Sequence, residues 1–158
     1  MSPDSVAPID LAQAHRHFSA DCFNRTWDFI DKPDRSAEDD EAMVLSTLAS
    51  LWHWTQRSDC TDQNRSIGHW QASRVYALVG QGDNARRHGE RCLAFASGAP
   101  PFYVGYAHEA LARAADVLGD AAAKERHLQE AWGCAGTVTD ESARSALEQD
   151  LKTLSPAQ

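Results

Sequence analysis

The sequence lacks most of the features that announce a chemistry. Its four cysteines, Cys22, Cys60, Cys92 and Cys134, are widely spread with no CxxC pair, which fits neither zinc-ligand spacing nor a compact disulfide framework. There is no GxSxG elbow, no GxxxxGK[ST] loop and no HExxH, so the local signatures of hydrolase, phosphate-loop and zinc-protease chemistry are missing. His15 and His17 are two residues apart, on different faces of a helix, and do not form a local metal pair. Positive charge is in deficit: 15 Lys and Arg against 23 acidic residues leave a net charge of −8, the wrong sign for a general binder of nucleic acid or anionic membrane. No uninterrupted apolar run approaches the roughly 18 residues of a membrane span, and the first residues carry neither a basic nor an apolar signal region. The expectation is a cytoplasmic protein that needs no metal or cofactor and binds neither nucleic acid nor membrane.

Period-two alternation is also scarce, and apolar positions recur at three and four instead, so the reading is all-α. With 158 residues and 42% hydrophobic content, the chain is long enough to bury one core without staples. One domain is expected over 9–155, with flexible ends at 1–8 and 156–158. About seven helices are countable. The first spans roughly 10–31 and stops at Lys32-Pro33, because the residue before proline is pushed out of the helical region. Ser36 with Asp39 resembles a capping box for the second, which ends after Trp54. A polar connection is expected over 55–65, and a third helix near 66–79. Gly80 then supplies a C-terminal turn, and Asp83 an acidic N-cap candidate for the fourth. Pro100-Pro101 opens the fifth, a sixth follows Gly119, and a last helix beginning at Thr139 or Asp140 caps the array.

Residues 74–96 overlay residues 113–135 without a gap at an offset of 39, with Arg74/Arg113, Gly80/Gly119, Arg87/Arg126, His88/His127 and Ala96/Ala135 identical. Repetition at this period usually means stacked helix pairs, since one helical hairpin cannot bury its apolar stripe alone. The third-to-sixth helices resemble tetratricopeptide repeats through Ala85 and Cys92 at small positions of a second helix and Gly80 or Gly82 at the turn. The chain is also similar to a group of small, uncharacterised bacterial proteins with tetratricopeptide-like folds. That likeness is carried by Trp27-Asp28, His53-Trp54, Trp70, Ser73-Arg74-Val75-Tyr76, Arg91-Cys92-Leu93 and Glu109-Ala110-Leu111-Ala112-Arg113-Ala114. The resemblance implies a right-handed helical-hairpin solenoid with a concave groove.

The candidate binding residues fall on the first helices of the two repeats. Trp70 with Arg74 and Glu109 with Arg113 are i,i+4 pairs, Ser73 lies beside them, and stacking of equivalent positions brings two guanidinium groups to one groove, a geometry suited to carboxylate or phosphate. His53 and Trp54 close one end of it. No catalytic residue is assigned. The expected function is a binding module holding a peptide or protein partner. The alternatives are a sensor or enzyme for an anionic small molecule using the same residues, and a self-associating structural protein forming a homodimer.

Overall fold

A computed structural model describes residues 8–155; the flexible ends expected at 1–8 and 156–158 fall, apart from Pro8, outside this range. Seven helices account for the described chain: α1 (Leu11–Ile30), α2 (Ala37–Thr55), α3 (Asp62–Leu78), α4 (Gly82–Phe95), α5 (Pro101–Leu118), α6 (Ala121–Ala135) and α7 (Glu141–Lys152). No strand occurs among the described residues.

Local chemistry sets most boundaries. The side chains of Asp10, Asp120 and Asp140 accept the backbone N–H groups of Gln13, Ala123 and Ala143, satisfying orphan donors at the starts of α1, α6 and α7. Ser36 and Asp39 form the reciprocal capping box of α2. Pro101 opens α5, where its missing N–H is not needed, and Gly119 closes it at φ 72°, a left-handed conformation that costs glycine nothing. Two boundaries differ from the sequence expectation. Helix α3 starts four residues earlier than expected, because Thr61 and Asn64 form a second capping box that turns much of the polar connection into helix. Asp83 does not cap α4: the N-cap is Gln81, without a side-chain bond, and Asp83 sits in the first turn, where its charge still complements the helix dipole.

The helices pair as α1 with α2, α3 with α4 and α5 with α6, with further packing of α2 on α3, α4 on α5, and α3 on α5. The pairs are antiparallel hairpins. Between α3 and α4, Ser73 bonds Ala85, His69 bonds His88 and Ser66 bonds Cys92, the separation widening away from the turn. Helix α7 covers α5 and α6, with Leu147 and Leu151 fully buried against Leu128 and Ala131.

Helix α5 touches α3, α4, α6 and α7, and its sequence explains why it can. Ala107, Ala110, Ala112 and Ala114 are completely buried; methyl side chains let neighbours approach on every side while the helix loses no side-chain entropy. Gly89 of α4 serves the same end, since a Cβ there would lie 2.8 Å from Leu111. Buried polar groups tie the hairpins together: Thr47 donates to Gln71, which donates to the Phe23 carbonyl, and Ser50 donates to the Ser19 carbonyl. Every buried side-chain nitrogen and oxygen of the described residues has a partner, as a low-dielectric interior requires.

Candidate functional site

Trp70 and Arg74 are one turn apart on α3, and Glu109 and Arg113 one turn apart on α5, so the packing of α3 on α5 makes one cluster of four residues. Glu109 has no solvent exposure. Its carboxylate accepts from Trp70 Nε1 at 3.0 Å and from Arg113 Nε, and Arg74 Nη1 lies 3.8 Å away. Asp150 of α7 completes the set. It stands 3.4 Å from Arg74 and 3.9 Å from Arg113 and accepts the Tyr106 hydroxyl at 3.0 Å, while Arg113 also donates to the Thr153 hydroxyl. Burial, followed by the facing Asp150 carboxylate, raises the Tyr106 hydroxyl well above its ordinary value, so it stays protonated as a donor.

This geometry gives the two arginines internal work. Two guanidinium groups meet two carboxylates, and the cluster carries no surplus positive charge for an anion. Arg74 also lies 5.8 and 5.9 Å from the ring centres of Trp27 and Trp70, and those indoles are themselves in contact at 5.7 Å. Glu109 is fully buried while Arg113 keeps 17% of its side chain exposed, and stranding such a carboxylate is far more costly than loss of an exposed pair.

The other sequence candidates lie apart from this cluster. Ser73 is fully buried and donates to the Ala85 carbonyl across the α3–α4 hairpin. His53 faces α1, with its Nδ1 2.8 Å from Nδ1 of His15, and Trp54 lies under the Arg57 guanidinium at 3.8 Å. Sequence reasoning missed Trp27, Tyr106 and Asp150. Asp150 stands on the helix outside the repeated segment, so no periodicity flagged it. Tyr106 precedes Glu109 by one turn and was legible as its neighbour.

Beside the cluster lies an apolar pocket of about 280 Å³. Ile67 and Trp70 of α3 form one wall, Phe102, Tyr103 and Tyr106 of α5 the other, and Ser66 with Cys92 of α4 complete the lining. Trp70 and Tyr106 meet edge to face at 5.2 Å, as do Phe102 and Tyr106 at 5.0 Å. These rings are shared: their apolar faces line the pocket while the Trp70 N–H and Tyr106 O–H are held by Glu109 and Asp150. The remaining polar atoms are also engaged, Ser66 with the Cys92 carbonyl at 3.1 Å and the Tyr103 hydroxyl with Gln63 at 2.8 Å. Burial pushes the Cys92 thiol up to about 11, which keeps it protonated and a poor nucleophile.

No group of three or more His, Cys, Asp or Glu side chains among the described residues is placed to hold a metal ion, and no helix among them is long and apolar enough to cross a membrane. No protein-family model, curated protein or solved structure matches the chain.

Proposed function

We propose that the protein is a tetratricopeptide-like, right-handed solenoid of helical hairpins that acts as a binding module, and that it takes an aromatic or branched aliphatic side chain of a peptide or protein partner into the pocket between α3 and α5. The observation that carries this reading is a pocket of about 280 Å³ walled by aromatic rings whose polar atoms are already engaged inside the protein. An apolar cavity of roughly 150 Å³ accommodates benzene, so the volume suits one large side chain. Its lining among the described residues comes entirely from helices. A small free ligand is usually buried by 70–90% or so in its site, whereas a side chain delivered from outside needs only a socket and a surface around it. The neutralised arginines favour an apolar anchor over an anionic one.

Indole and p-cresol, as free stand-ins for the Trp and Tyr side chains, provide the probes, titrated while aromatic and methyl NMR signals are followed. Resonances of Ile67, Trp70 and Phe102 are expected to shift together. Ile67→Trp, which fills the socket from a half-buried wall position, is expected to weaken probe binding at least tenfold while leaving the thermal melt in place. Probe binding unchanged by Ile67→Trp refutes the pocket as the site.

A further inference from the structure

The three hairpins share a contact that the pocket does not use. His15 of α1 meets His53 of α2, His69 of α3 meets His88 of α4, and His108 of α5 meets His127 of α6, in each case Nδ1 to Nδ1, at 2.8, 2.9 and 3.1 Å. Six of the seven histidines are thereby placed in pairs, one pair per hairpin. His69 and His108 are 39 residues apart, as are His88 and His127. These distances are those of a hydrogen bond between imidazoles.

We propose that these pairs are proton-operated clasps that hold each hairpin shut near neutral pH and release it in acid. The chemistry follows from the inventory of a neutral imidazole, which carries one N–H and one bare nitrogen. An Nδ1-to-Nδ1 bond requires one ring with its proton on Nδ1 and the other with its proton on Nε2. A first added proton goes to the free Nε2 of the donor ring. The bond survives and gains charge assistance. A second proton has only the accepting Nδ1 to occupy. Two N–H groups then face each other across about 3 Å, the bond is lost, and two cations are left side by side.

The surroundings oppose the protons further. His69 is almost fully buried, stacked at 5.7 Å on Phe95, and His88 is stacked at 5.4 Å on Tyr76 of α3; the charged neighbours acting on this pair are Arg87 and Arg91 of α4. Burial lowers His53, His69, His88, His108 and His127, each from its ordinary value. Around the third pair Arg126 adds to the effect on His127, and Glu130 of α6 opposes it on both rings. The first pair sits against Trp52 and Phe18 with His15 as the charge facing His53.

Two measurements on the full chain test the clasps. Long-range ¹H–¹⁵N NMR at pH 7.5 reads the tautomers directly, and one Nδ1–H ring with one Nε2–H ring is expected in each pair. Six Nε2–H tautomers overturn the proposal without any variant. The pH dependence of unfolding near pH 5.5 reads the protons taken up on unfolding, with at least about three expected, one or more per pair, because each unfolded pair binds about two and each clasp holds no more than one. The triple variant His53→Asn, His88→Asn and His127→Asn keeps a hydrogen-bonding group near each Nδ1 position but removes the second cation. Its uptake is expected to fall to about two protons or fewer, because burial still lowers His69 and His108. An uptake equal to that of the unaltered chain overturns the proposal. If the variant does not fold, the tautomer result decides.

Discussion

Replacing both arginines of the buried cluster, Arg74→Gln with Arg113→Gln, separates a structural role from a recognition role. Were these surface ion pairs, the loss would be about 1–2 kcal/mol at most. The structure gives a different expectation, because their shared partner Glu109 has no exposure at all. Gln removes both cations and leaves a buried carboxylate with only the Trp70 N–H fixed on it. Breaking a buried pair from one side costs about 3–5 kcal/mol, and at about 2–4 °C per kcal/mol for a chain of this size the melting temperature should fall by roughly 6–20 °C. Adding Glu109→Gln to the same protein removes the stranded charge while preserving an acceptor for Trp70. The triple variant should therefore recover at least about 1 kcal/mol relative to the double. Urea melts at pH 7 on the three proteins measure this. A double variant within about 1 kcal/mol of the unaltered chain, or a triple variant no more stable than the double, refutes the argument that Glu109 is a buried ion held by these two arginines.

Stability should rise with pH across the range from about 4 to 6.5, since His69 is lowered from 6.5 to about 4 by burial, His88 and Arg91. Between those values the unfolded chain binds a proton that the folded chain refuses, so this contribution is complete above 6.5, shrinks as pH falls, and is absent below about 4. Its size is on the order of 3 kcal/mol, readable from urea melts at pH 7 and pH 4.5, and a flat profile over that interval contradicts it. Gly89→Ala should destabilise by up to about 2 kcal/mol: the new methyl meets the buried Leu111 side chain at 2.8 Å, an overpacking cost of about 1–3 kcal/mol offset in part by the roughly 1 kcal/mol that alanine gains over glycine in a helix. A thermal melt that rises in this variant shows that Leu111 can move aside at little cost.

The all-helical class and most helix ends are legible in the residues alone, because those depend on groups only three or four residues apart. The caps at Asp10, Ser36 and Asp140, the proline opening α5 and the glycine closing it all act within one turn. The start of α3 escaped because Asn64 in place of a Glu or Gln disguised the capping box at Thr61. The i,i+4 neighbours Trp70 with Arg74 and Glu109 with Arg113 were legible for the same local reason, and the offset of 39 brought the two pairs into correspondence. What the chain order does not encode is which of these groups water can reach. Only the packing of α3, α5 and α7 decided that Glu109 is fully buried and that Asp150 meets both arginines from 37 and 76 residues away. The same packing turned the faces of Trp70 and Tyr106 toward an apolar pocket and joined the histidines in pairs across three hairpins. Solvation and charge pairing in a folded interior depend on distances through space, and those are fixed only when the helices have docked.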